Sequence, residues 1–213
     1  MPAPLLRTEI TKYLDDLVPP RHPVLAEMEE IARKTDFPII GPSCGHLCYL
    51  LARLIGAKQI FELGSGYGYS TAWFARAVKE NGGGTVHHVV WDEKLSARAR
   101  DYLGQMKLDD VVTFHMGEAV ATLKEQAGPF DIVFNDIDKE GYPASLGVIV
   151  DRVRVGGLLI TDNLLWSGRI LDGTDKSAAT EGVREITRLV YADKRWIPAI
   201  VPLRDGMLVA VRA

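Results

Sequence analysis

The sequence predicts an α/β fold with a mostly parallel, seven-stranded sheet, and three observations carry that prediction. Short apolar runs alternate with segments whose apolar residues recur at helical spacing, and the links between them are short, which is the pattern of parallel strands joined by crossover helices. One run ends in a glycine cluster and leads straight into a helical pattern. The last two runs, Trp196–Val201 and Met207–Val211, are joined by Pro202-Leu203-Arg204-Asp205-Gly206. That link is too short for a crossover helix, so the two runs must pair as an antiparallel hairpin.

Residues 1–37 hold two weakly amphipathic helical segments, Leu5–Val18 and Pro23–Lys34, separated by Pro19-Pro20, which a helix interior rejects. They are expected to form an N-terminal arm or lid ahead of one domain spanning 38–213. Pro38 to Ser43 reads as a loop with Ser43 as helix N-cap. Leu47, Leu50, Leu51, Leu54 and Ile55 then keep helical spacing until Gly56 stops the helix. Cys44 and Cys48 lie on that helix with His46 off their face; with no further cysteine to complete a zinc site, they are expected to be reduced core thiols.

The central strand is Ile60 to Leu63, running into Gly64-Ser65-Gly66-Tyr67-Gly68-Tyr69-Ser70. Glycines 64, 66 and 68 allow backbone angles closed to other residues and a close approach of a ligand to the main chain. The helix that starts near Ser70 points its free N–H groups at the same crevice. A dinucleotide fingerprint needs GxGxxG, whereas here the glycines fall as GxGxG and Tyr69 takes the sixth position, so a nucleotide-like ligand without a pyrophosphate fits better than NAD. Glu62 is costly inside the buried end of a strand unless something pairs with it.

Trp73, Phe74, Ala77 and Val78 give the next helix its apolar face, and Asn81-Gly82-Gly83-Gly84 ends it. Val86–Trp91 reads as a strand, followed by a helix carrying Leu95, Ala99, Tyr102, Leu103 and Met106. Val111–Met116, Asp131–Asn135 and Leu158–Thr161 are further strands, with helices over Glu118–Gln126, after Tyr142 and around Val183, Ile186 and Val190.

Two polar clusters end consecutive strands: Asp136-Ile137-Asp138-Lys139-Glu140-Gly141-Tyr142 and Asp162-Asn163-Leu164-Leu165-Trp166-Ser167-Gly168. Ligands of open α/β sheets sit beyond the carboxyl ends of the strands. If the two strands are neighbours, Asp136, Asp162 and Asn163 bring together two carboxylates and an amide oxygen, a donor set suited to Mg²⁺, Mn²⁺ or Ca²⁺ rather than zinc. An aspartate at a strand end is also a common turn former, and Lys139 taken alone is a surface lysine.

Together these residues resemble the cation-dependent O-methyltransferases, the group of catechol and caffeoyl-CoA O-methyltransferases and small bacterial members. The resemblance runs from about Pro42 to the C-terminus, through Phe-Glu-Leu-Gly-Ser-Gly-Tyr-Gly-Tyr-Ser-Thr, Val-Phe-Asn-Asp-Ile-Asp-Lys-Glu-Gly-Tyr, Asp-Asn-Leu-Leu-Trp-Ser-Gly and Asp205-Gly206-Met207. It implies the Rossmann-like class I methyltransferase fold, S-adenosylmethionine as methyl donor, a divalent cation, a small hydroxylated aromatic acceptor and a homodimer. It makes Asp136, Asp162 and Asn163 the metal ligands and Lys139 the candidate base. Glu62, Gly64, Ser65, Gly66, Gly68, Tyr69 and Ser70, with Asp92, Gly117, Glu118, Ala119 and Asp136, would line the cofactor. Trp166, Tyr142 and the arm would wall the acceptor, and Trp196 with the hairpin would face a subunit partner. The family's ribose-binding glutamate aligns with Val90, with Asp92 two residues on, and Thr187 stands where the family often has asparagine.

A net charge of −3 over 213 residues gives no general attraction to nucleic acid or anionic membrane. No apolar run approaches the length of a membrane span and the first residues lack a signal-peptide pattern, so a cytoplasmic location is expected. Two rival readings are methylation of a hydroxylated uridine in transfer RNA, through a local patch of Arg98, Arg100, Arg152, Arg154 and Arg169, and a non-catalytic nucleotide-binding or NAD-dependent module.

Overall fold

The structure, a computed structural model, describes residues 7–213. In chain order the helices and strands are α1 (Thr8–Asp16), α2 (Pro23–Thr35), α3 (Gly41–Leu54), β1 (Gln59–Leu63), α4 (Tyr69–Glu80), β2 (Thr85–Val90), α5 (Glu93–Gln105), β3 (Val112–Met116), α6 (Ala119–Glu125), β4 (Phe130–Asn135), α7 (Tyr142–Ile149), β5 (Val153–Thr161), α8 (Ala178–Ala192), β6 (Trp196–Val201) and β7 (Met207–Arg212). One sheet of seven strands forms in the order β3-β2-β1-β4-β5-β7-β6. β1 to β5 run parallel, and β7 is antiparallel to both its neighbours.

The terminal hairpin forms as the loop length requires, but it enters the sheet turned over. β7 lies inside against β5, and β6 takes the edge. β6 suits an edge because Pro198 has no N–H to offer a further strand. β5 is longer than the apolar run Leu158–Thr161: it begins at Val153 and passes through Gly156-Gly157 beside a register shift at Phe130/Ile132. The glycines read as a boundary, yet an irregularity lets the ladder continue across them.

Two cores flank the sheet. One joins α2, α3 and α4 to β1, with Met28, Cys44, Cys48, Trp73 and Phe74 fully buried; the other joins α6, α7 and α8, with Leu123, Tyr142, Ile149, Val183 and Ile186 inside. Cys44 and Cys48 are free thiols in the first core, and burial pushes the Cys44 thiol up to about 12.

The arm divides by chemistry. α1 buries none of its residues, whereas α2 buries Val24, Leu25, Met28 and Ala32 and belongs to the core. Leu5 and Leu6 of the first expected segment, with the rest of residues 1–6, lie outside the described residues. Ser43 is not an N-cap. The helix starts earlier, at Gly41, and the Ser43 hydroxyl, now inside its first turn, donates instead to Asp15 at the end of α1. Among the described residues no helix is long and apolar enough to cross a membrane.

Candidate active site

The glycine turn is built by close backbone approach. Gly64 has φ +85°, and a Cβ there would stand 2.6 Å from the carbonyl oxygen of Asp136 on the neighbouring strand. Only glycine fits that spot, so the turn can lie flat across the ends of β1 and β4. Ser65 ties it to β2: its N–H donates to Val89 O at 3.1 Å and its hydroxyl oxygen accepts from Val89 N at 3.0 Å. Tyr69 opens α4, but its ring turns toward the arm, where its hydroxyl donates to Glu29 at 2.7 Å and Glu29 in turn pairs with Arg21.

Glu62 lies beneath this turn, fully buried, and is absent from the lining of the cavities above it. Thr71 Oγ1 donates to its Oε2 at 2.5 Å and accepts from the direction of His88 Nδ1 at 3.0 Å. Among the described residues no cation pairs with it. Burial pushes the Glu62 carboxyl up to about 7 against the hydroxyls of Ser70, Thr71 and Ser65, and burial pushes the His88 ring down to about 3. The partner Glu62 requires is therefore a hydroxyl and a neutral ring, a solution that strand periodicity does not reveal.

The two strand-end clusters meet as neighbours. Asn135 pairs with Thr161 in the β4–β5 ladder, so Asp136 and Asp162 leave the sheet at the same level. They line one cavity of about 540 Å³ with Asn163, Lys139, Trp166 and Arg204, closed on one side by Phe37, Pro38 and Ile39. A second cavity, of about 420 Å³, runs over Ser65, Val90, Trp91, Asp92, Gly117, Glu118 and Ala119. Gly64, Gly66 and Asp136 belong to both, so the two spaces join at the glycine turn.

Asp136 and Asp162 each have a cationic partner. Lys139 Nζ donates to Asp136 Oδ1 at 2.9 Å and to Ile137 O at 3.2 Å, and stands 5.9 Å from the centre of the Trp166 ring. Arg204 Nη1 donates to Asp162 Oδ2 at 3.2 Å. Asp162 Oδ1 is buried with no hydrogen-bond partner. Burial pushes the Asp162 carboxyl up to about 7, with the Asp136 charge acting in the same sense and Arg204 against it.

Asp205 arranges the loop that carries Asn163. Its carboxylate accepts from Asn163 Nδ2 at 3.3 Å and from Ser167 N at 2.5 Å, which steadies Asn163, Trp166 and Ser167 at positive φ. That contact leaves the Asn163 amide oxygen uncommitted. Asp136, Asp162 and Asn163 therefore offer hard oxygens to one space, one of them a buried orphan, and fit a divalent cation by donor chemistry. Among the described residues no group of three or more His, Cys, Asp or Glu side chains forms a metal cluster; the third donor here is the amide.

The remaining expected site residues fall as follows. Gly117, Glu118, Ala119 and Asp92 line the second cavity, although both carboxylates also cap helices: Glu118 accepts from Val120 N and Ala121 N, and Asp92 from Leu95 N. Tyr142 does not wall the first cavity. It is fully buried, and its hydroxyl donates to Asp162 O at 2.9 Å. Trp196 is buried in the second core rather than facing a partner. Thr187 bonds back to Val183 O within α8. The five arginines have separate tasks: Arg98 and Arg100, both on α5, lie over the Tyr67 and Phe114 rings, Arg152 donates to Lys124 O, Arg154 pairs with Asp131 and Arg169 with Asp175.

The expected arm supplies Phe37 at its end as a wall of the first cavity; sequence reasoning missed Arg204 and the continuation of that wall through Pro38 and Ile39. Arg204 read only as part of a hairpin link, and the wall comes from a segment with no periodic pattern.

A parallel sheet turned antiparallel at β7, a glycine bend opening onto two joined cavities, and paired acids at adjacent strand ends define a group-transfer enzyme of the Rossmann-like α/β class. The sequence model of the O-methyltransferase family matches residues 16–213, and the chain belongs to that family. It is 30% identical over 213 residues to a catechol O-methyltransferase of Niastella koreensis, covering 95% of this chain and 96% of that one. It superposes on the O-methyltransferase of Bacillus cereus in complex with SAH with a TM-score of 0.87 at 29% identity, over 97% and 98% of the two chains. It superposes on the O-methyltransferase TomG of Streptomyces achromogenes, involved in tomaymycin synthesis and in complex with SAM, with a TM-score of 0.86 at 25% identity, over 96% of each.

Proposed function

We propose that the chain transfers a methyl group from S-adenosylmethionine to a hydroxyl of a small catechol-like aromatic, with a divalent cation, Mg²⁺ before Mn²⁺ or Ca²⁺, held by Asp136, Asp162 and Asn163. The observation that carries the reading is the convergence of those three oxygen donors on a cavity that opens into the glycine-turn cavity at Asp136. The Bacillus cereus and Streptomyces structures, bound to SAH and SAM, support the donor; the Niastella relative supports the acceptor class.

A phenolic hydroxyl ionises near pH 10, so only about one in a thousand is the nucleophilic anion at neutral pH. A cation bound to the three oxygens supplies direct charge stabilisation of that anion. Lys139 Nζ takes the phenolic proton as the neutral amine, its own extra proton having first left to solvent, and is held in place by Asp136 Oδ1 and Ile137 O. Trp166 and the Phe37-Pro38-Ile39 wall hold the ring in place and keep water from the reacting oxygen. Asp136, at the junction, orients acceptor and donor toward one another.

The test is Asp136→Ala assayed with and without cation. Metal-stimulated transfer is expected to vanish while S-adenosylmethionine binding stays within about tenfold, 1.4 kcal/mol. Full activity of the wild type in excess chelator, or of the variant, would remove the cation from the mechanism.

A further inference from the structure

The second cavity has an unusual end. β2 finishes in Val90, an apolar residue, at the position where a Rossmann-type site places an acid to hold both ribose hydroxyls. The two carboxylates that follow β2 and β3 each cap a helix. Glu118 gives both oxygens to the N–H groups of Val120 and Ala121, and Asp92 gives Oδ1 to Leu95 N at 2.9 Å. Each helix N–H takes one lone-pair site of these carboxylates and fixes them as the caps of α5 and α6, so gripping a diol would compete with the caps.

The same end carries Trp91. It lines the cavity and is 73% exposed, while Trp73 and Trp196 are buried in the two cores. Val90, Leu95 and Ala119 beside it add apolar wall. A flat base laid on the indole would cover that surface, and stacking of this kind needs no hydrogen-bonding partner.

We propose that this chain holds the nucleoside of its methyl donor by the face of Trp91 and not by a carboxylate fork at the end of β2, so that the ribose hydroxyls carry little of the affinity. The proposal rests on the S-adenosylmethionine reading above and concerns how, not whether, that ligand is bound. Because Trp91 lies beyond the strand and outside both cores, its replacement leaves the fold intact.

The experiment is titration of S-adenosylhomocysteine and of its 2′-deoxy analogue into wild type, W91A and W91F, read by calorimetry and indole fluorescence. Expected are a fluorescence change in wild type that W91F loses while keeping affinity, a loss of about tenfold or more in W91A, and a 2′-deoxy analogue bound within about tenfold of the parent. A 2′-deoxy analogue weakened more than about tenfold, or W91A binding as tightly as wild type, would overturn the proposal while leaving the cofactor intact. Wild type failing to bind S-adenosylhomocysteine at all would overturn the cofactor reading and this proposal with it.

Discussion

Two groups of acids lie at the carboxyl ends of neighbouring strands and are answered by different partners. Beneath the glycine turn, Glu62 is sealed from solvent and answered by hydroxyls, Thr71 Oγ1 the nearest, with His88 behind it. At the strand ends, Asp136 and Asp162 are answered by full cations, Lys139 and Arg204, and open onto a cavity. Burial raises the Glu62 and Asp162 carboxyls alike, to about 7, so what differs is the partner: hydroxyls in the first group, Lys139 and Arg204 in the second. Only the second opens onto a cavity that a ligand can enter, so the chemistry proposed above is assigned there. The first holds β1, α4 and β2 together under the turn.

Substitution separates the two groups most sharply at Lys139. Lys139→Met is expected to lower the methyl-transfer rate by about 10² to 10⁴, the range of a lost general base, in steady-state assays at saturating cation. A loss below about tenfold would return Lys139 to the role of a counter-ion for Asp136. Asp162→Asn should follow, with a loss of about a hundredfold in cation-stimulated rate and a matching loss in cation affinity by calorimetry. Unchanged cation affinity would take Asp162 out of the ligand set.

In the sealed group the effect moves from rate to stability. Thr71→Val leaves Glu62 Oε2 and His88 Nδ1 without a partner, and urea unfolding should show about 1–3 kcal/mol of destabilisation with the rate at saturating cofactor little changed. A large loss of rate with native stability would give the network a catalytic part.

The smallest effect is in pH dependence. The Glu62 carboxyl is raised from 4.5 to about 7, so its contribution to stability is full below 4.5 and is lost as pH rises through about 7. The His88 ring is lowered from 6.5 to about 3, so its contribution is full above 6.5 and is lost as pH falls toward 3. Between 4.5 and 6.5 the two oppose each other. Relative to wild type, Glu62→Gln should gain stability more steeply as pH rises through that window, and His88→Gln should lose it. Parallel curves for all three proteins would show that neither group changes its proton on folding.

The sequence by itself determined the alternation of strands and helices, the glycine turn and the two acidic strand ends, because each is written in local spacing and in residues whose backbone demands are their own. Asp136, Asp162, Asn163 and Lys139 were legible as a group for that reason. Only the tertiary structure decided the rest. Loop length dictates that β6 and β7 pair but leaves open which of them meets β5. The pairing of Asp162 with Arg204 joins residues 42 apart in sequence, and the Glu62, Thr71 and His88 contacts cross from strand to helix to strand. Local propensity carries no record of such meetings, since a buried polar group is satisfied by whatever the packing of distant segments brings within reach.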